Sequence, residues 1–340
     1  MKKRWFVISL LLLLIGLLPG KTVEAAGAGF TVDAIKPDNQ ISNSEFFDLK
    51  VSPNQTQDVS LRVTNLENHG IKVKISPNPA YTNQNGIIDY SQHDYPKDSS
   101  AQYTLPQMFS EPQEVLLNPQ ESKEVTFQLK IPEGSFNGSI LGGFYAQEIG
   151  SSDDGTRQTA KQNSTLSIKN EYSLVVGISL TEDPNQKVSP ELKLNEVSAG
   201  LADERTAVLA NLQNVQPKAF GEMTVDAKVY KKGDSKVLKE TKKENQEMAP
   251  NSNYNFAVSW NNEPLKAGDY HLKLEAASGS KIWKFERDFT VEAKQAKLIN
   301  QKAVDLPEHN YWWLLIVLLV IILFVLTYVL GKRKGKQGSR

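Results

Sequence analysis

Along residues 30–293 apolar and polar positions alternate in short runs separated by turn-forming residues. No long apolar stripe recurs every 3.6 residues. Val59, Leu61 and Val63 interleave with Ser60, Arg62 and Thr64, and the spacing returns at Val125, Phe127, Leu129 and Ile131. It returns again at Val225, Ala227 and Val229, and at Leu272, Leu274 and Ala276. Successive side chains of a strand point to opposite faces, so a two-residue period predicts strands with one buried face. Asn85-Gly86, between Tyr81 and Ile87, marks a tight turn because both residues accept a positive φ. Many short strands at this spacing predict an all-β fold of two immunoglobulin-like β-sandwich domains.

The stretch from Thr181 to Pro190 is polar and proline-punctuated, which places the domain boundary between a first sandwich at 30–180 and a second at 191–293. A weak internal echo supports related architectures. Asn65-Leu66-Glu67-Asn68 ends a strand in the first domain, and Asn211-Leu212-Gln213-Asn214 does so in the second. Residues 294–310, with Lys294, Gln295, Lys297, Asn300, Gln301 and Lys302, read as a polar stalk.

The two ends break the alternation. Met1-Lys2-Lys3-Arg4 precedes an apolar run from Trp5 to Leu18 and then small residues at Ala25-Ala26, the layout of a secretory signal over 1–25. Tyr311–Leu330 carries no charge, opens with Tyr311, Trp312 and Trp313, and is followed by Lys332, Arg333 and Lys334. That pattern predicts a transmembrane helix at 311–331 with a basic cytoplasmic tail at 332–340. The expected location is a single-pass cell-membrane protein with its ectodomain extracellular. Leu306-Pro307-Glu308-His309-Asn310 imitates a sortase signal but lacks its Thr-Gly.

Composition narrows the chemistry. The chain of 340 residues has no cysteine, which excludes disulfides, thiolate metal sites and cysteine nucleophiles. The two ends carry nine of the 39 basic residues and almost no acidic ones, which leaves a net acidic body, so nucleic acid is not an expected partner. The four histidines, His69, His93, His271 and His309, share no ligand spacing. No nucleophile elbow or phosphate-cradling loop is present, and neither catalysis, cofactor nor metal is expected.

One segment suggests recognition. Tyr81, Tyr90, Tyr103 and Phe109 punctuate a polar stretch that includes Asn83 and Asn85. Aromatic rings beside amides suit carbohydrate faces and protein hot spots, and equally suit the capped edge of a sandwich. Gly142 and Gly143 leave bare backbone in a strand, which permits a bulge or the close approach of a partner.

Several stretches resemble the WxL-interacting proteins of Gram-positive surfaces. They are Phe30-Thr31-Val32 with Ile35 to Gln40, Phe46-Phe47-Asp48-Leu49, Val63-Thr64-Asn65, Thr82 to Gly86, and Phe136 to Gly143. The resemblance implies a peptidoglycan-binding first domain, a second domain binding host extracellular components, and WxL-domain surface proteins as partners. It implies an adaptor; a sensor or transporter accessory and a cell-wall hydrolase are the alternatives.

Overall fold

The computed structural model describes residues 27–150, 172–307 and 316–327. These form two compact units. The first runs to Tyr81 and continues through Asp89–Ser189 and Gln216–Lys218; the second holds Thr82–Ile88, Pro190–Val215 and the chain from Ala219 onward.

In the first unit, β1 (Phe30–Ile35), β3 (Thr56–Asn65) and β8 (Ser122–Lys130) make one antiparallel sheet in the order β1-β3-β8. The second sheet has five strands in the order β2-β10-β9-β4-β7. These are β2 (Phe47–Lys50), β10 (Ser173–Thr181), β9 (Ser139–Glu148), β4 (Ile71–Pro79) and β7 (Gln113–Leu117). Within this sheet the β2–β10 pair is parallel and the other described pairs are antiparallel; two short strands, β5 (Tyr81–Thr82) and β6 (Ile88–Asp89), pair with each other. The alternating residues predicted to be buried are buried: Val59, Leu61 and Val63 meet Val125, Phe127 and Leu129 in one core. Phe144 lies at its centre, with the rings of Phe47, Phe109 and Phe127 at 5.0–5.8 Å. The edge-on pairs that Phe144 makes with Phe47 and Phe109 add to the area that the rings bury.

In the second unit, β11 (Leu192–Ala202), β12 (Arg205–Asn214) and β15 (Ser252–Ser259) make a three-stranded sheet. Four strands make the other, in the order β14 (Val237–Met248), β13 (Phe220–Lys231), β16 (Gly268–Ser278) and β17 (Lys281–Val291). Trp260, Tyr270, Trp283 and Phe289 are buried in its core. Tyr270 opens β16 as a buried plug whose hydroxyl donates to the Lys266 carbonyl at 2.7 Å. The echo noted in the sequence has a structural counterpart three residues along. Asn65 and Asn214 are fully buried and end the central strands of the two three-stranded sheets. Asn65 donates to the carbonyls of His69 and Asn118, Asn214 to that of Ala249.

Two expectations are corrected. Residues 294–310 do not begin as a stalk, because helix α1 (Ala293–Lys302) packs on the second unit through buried Ala296 and partly buried Ile299. Asn300 fastens it by exchanging hydrogen bonds with the backbone of Leu265. Three residues apart on a helix share a face, so two apolar side chains in a polar stretch suffice to dock it.

The predicted single-pass location is also overturned. Among the described residues no helix is long and apolar enough to cross a membrane. Residues 316–327 are helical. Tyr311, Trp312, Trp313, Lys332, Arg333 and Lys334, and the segment read as a signal, lie outside the described residues.

Candidate functional site

The eight residues singled out for recognition do not converge. Tyr81 is buried and stacks on Tyr95 with centroids 4.0 Å apart, its hydroxyl 2.8 Å from that of Ser91. Burial raises the pKa of both phenols above the ordinary value. Asn83 ties a turn: its side-chain oxygen accepts the N–H of Asn85 at 2.9 Å and of Ile87 at 3.3 Å, while Gly86 takes φ 72°. Asn85 sits exposed at the tip of that turn. Within the second unit the Gly86 carbonyl accepts the Glu247 N–H at 2.6 Å, so the turn is a packed element. Tyr103 and Phe109 pack against the first core.

Gly142 and Gly143 point to opposite faces of β9. A Cβ on Gly142 would stand 2.4 Å from the Asn78 carbonyl oxygen and from Leu105 Cδ2, so the glycine permits close packing inside. A Cβ on Gly143 would meet Val175 Cγ1 at 2.7 Å and the Tyr90 ring at 3.3 Å. Gly143 therefore makes room for Tyr90 to lie against the outer face of the five-stranded sheet. The Tyr90 carbonyl accepts a bond from Asn78 at 2.7 Å, and His93 Nδ1 lies 3.1 Å from Asn78 Oδ1 and 3.2 Å from the Pro77 carbonyl. Those two acceptors favour the tautomer with the proton on Nδ1. His93 is thus a latch between its loop and β4.

Tyr90 borders a cavity of about 620 Å³ with Val32, Asp33 and Ala34 of β1, Glu45, Phe46, Leu141 of β9, and Val175–Ile178 of β10. Two aromatic or branched side chains stand open on it, Phe46 and Val175, each 43% exposed. The cleft exists because β2 stops short. The Phe46 carbonyl accepts bonds from the Gln40 side chain at 3.0 Å and from Ser44 Oγ at 3.0 Å, which turns it away from β10. Pairing of β2 with β10 accordingly begins at Phe47 opposite Ile178 and covers only Ile178–Thr181. Of the eight predicted residues, Tyr90 and the neighbouring Gly143 shape this cleft. Asp33, Glu45, Phe46 and Val175 were not foreseen. Among the described residues no group of His, Asp and Glu could hold a metal ion.

Two sequence models of binding domains match successive parts of the chain. The WxL Interacting Protein peptidoglycan binding domain covers residues 30–148, and the WxL Interacting Protein host binding domain covers 163–301. The chain belongs to the WxL-interacting protein family. Both matched domains of this WxL-interacting protein are named for binding and not for catalysis, and the family is consistent with an extracellular location at the cell surface. No curated protein matches it in sequence. Similar solved structures include the ASH/PapD-like domain 7 of human CEP192, at 14% identity and TM-score 0.28, over 50% of this chain and 95% of that one. The E. coli chaperone DraB is 15% identical at TM-score 0.27, over 79% and 98%. The class 5 fimbriae chaperone CfaA is 12% identical at TM-score 0.26, over 77% and 98%.

Proposed function

We propose that this protein is a non-catalytic adaptor of the cell surface, built from two sandwiches of the immunoglobulin kind. Its first unit binds peptidoglycan, its second binds host surface components, and the chain recruits WxL-domain proteins as partners. The observation that carries this reading is the match of two consecutive binding-domain models over residues 30–148 and 163–301. Holding a polymer and a partner on one chain makes the second contact intramolecular, so individually weak contacts add. Within the first unit, Tyr90 and Gly143 are the predicted residues kept as contributors to recognition, through the cleft they shape.

The test is sedimentation of the full chain with insoluble peptidoglycan, beside co-precipitation with a purified WxL-domain protein. Retention of folded protein by the polymer, and capture of the partner, are the expected results. Folded protein that stays in the supernatant and captures no partner would overturn the adaptor reading. Clearing of a peptidoglycan gel by the same material would restore the hydrolase alternative.

A further inference from the structure

The cleft beside β10 has a feature that goes beyond the adaptor reading: an open strand edge. Along an extended strand successive residues turn their N–H and C=O to opposite edges. The Thr181 carbonyl faces the β2 side, because it accepts the Val51 N–H at 2.9 Å. Register with β9 runs without interruption from Ser173 opposite Gln147 to Thr181 opposite Ser139. Ser173, Val175 and Gly177 therefore share the orientation of Thr181. Pairing with β2 ends at Ile178, and among the described residues no other strand covers the edge upstream of it. The Val175 N–H and C=O and the Gly177 N–H thus face into the cleft. On its far wall β1, among the described residues, pairs only with β3.

We propose that this cleft binds an extended peptide strand that adds to the sheet along Ser173–Gly177, parallel or antiparallel to β10. The edge of five residues is about 16 Å long at the rise of a strand, enough for a short segment. Alternate backbone groups repeat every second residue, a pattern that another strand matches and a sugar chain does not. Phe46, Val175, Val32 and Ala34 offer apolar walls for alternate side chains. Asp33 and Glu45 are the charged groups on the lining, both are exposed, and neither enters a described salt bridge. The occupant is therefore a peptide with alternating apolar residues and a lysine or arginine at the rim. Strand addition of this kind draws affinity from the main chain and selectivity from the pockets for alternate side chains.

The probe is a labelled nonapeptide, Thr-Val-Thr-Val-Lys-Val-Thr-Val-Thr, titrated with the full chain and read by fluorescence anisotropy. Two N-methylated versions carry the methyl groups on even or on odd residues. One should bind like the parent and the other about tenfold or more weaker, because only one set of N–H groups faces β10. Val175→Pro should abolish binding, since it removes an edge donor while the β9 ladder uses the neighbouring residues. Far-ultraviolet circular dichroism checks that the variant is folded. Should it unfold, the methylation contrast still decides the matter. Asp33→Asn with Glu45→Gln should weaken the lysine peptide a fewfold and leave a norleucine version unchanged. Equal binding of both methylated versions, or no binding of the parent at millimolar concentration, would overturn the proposal. Peptidoglycan sedimentation of the same variants is a separate readout, so loss of peptide binding and loss of the adaptor function are distinguishable.

Discussion

Replacing Gly142 by alanine tests the inner face of β9. The new Cβ would stand 2.4 Å from the Asn78 carbonyl oxygen and 2.4 Å from Leu105 Cδ2. Ordinary carbon contacts begin nearly 1 Å farther out. The oxygen belongs to the backbone of β4, hydrogen-bonded into the same sheet, and Leu105 is fully buried. Neither can retreat without moving the core. Overpacking of this kind costs roughly 1–3 kcal/mol, and an immovable backbone atom puts Gly142 near the top of that range. For a unit of this size each kcal/mol lowers the melting temperature by about 2–4 °C, so a fall of roughly 6–12 °C is expected. Scanning calorimetry of the full chain, paired with tryptophan fluorescence, assigns the shift to a unit. Trp260 and Trp283 both lie in the second unit. The transition that moves should be the one in which their fluorescence does not change. A calorimetric trace within about 1 °C of the parent, or a shift carried by the Trp260 and Trp283 signal, would refute the argument. Gly143→Ala is the control: its Cβ meets side-chain atoms of Val175 and Tyr90, which can yield, so a loss of about 1 kcal/mol is expected.

Other expectations follow from the same packing. Phe144→Ala, which empties the centre of the four-ring cluster, should destabilise the first unit by about 3–5 kcal/mol in urea titration, and an effect below 1 kcal/mol would contradict the cluster. Asn214→Ala should cost about 1–3 kcal/mol in the second unit, measured by the Trp260 and Trp283 transition, because the Ala249 carbonyl loses a donor in a buried place. Hydrogen bonding to His271 and then to Lys232 holds the Asp288 carboxyl below its ordinary pKa, and bonding to Lys273 does the same for Glu286. A depressed folded pKa gives stability present above the ordinary carboxylate value and lost as pH falls through the folded one. Asp288→Asn with Glu286→Gln should therefore flatten the melting temperature of the second unit against pH below about pH 4. Ala296→Asp should undock α1, read as faster hydrogen exchange over residues 293–302 without loss of the β signal.

The strands were legible because burial on one face imposes a period of two that survives in any order of residues. Val125, Phe127, Leu129 and Ile131 are all buried, as that period demands. Helix α1 was not legible, since its docking rests on Ala296 and Ile299 within a run of lysines, glutamines and asparagines. The aromatic segment illustrates a different case. Tyr81, Asn83, Tyr103 and Phe109 stand close in sequence and suggested one surface, yet packing and turn geometry account for each. The cleft instead draws on residues 32–34, 45–46, 90, 141 and 175–178, which only the strand order brings together. Phe46 was hidden beside Phe47. In sequence the pair looks alike, but period-two alternation sends one ring into the core and the other outward.

The way the second unit finishes has a mechanical consequence. After α1 the chain returns to the β11–β12 turn, where Val304 N–H donates to the Glu204 carbonyl at 2.9 Å and Asp305 pairs with Arg205 at 2.8 Å. Tension drawn through residue 307 meets that clasp first, then the Asn300 fastening of α1 to Leu265, and only afterwards β17 at the rim of its sheet. Each stage yields a little length before the next is loaded. The clasp and the helix thus stand in series between residue 305 and the sheet, so strain entering from that side loads them before any strand.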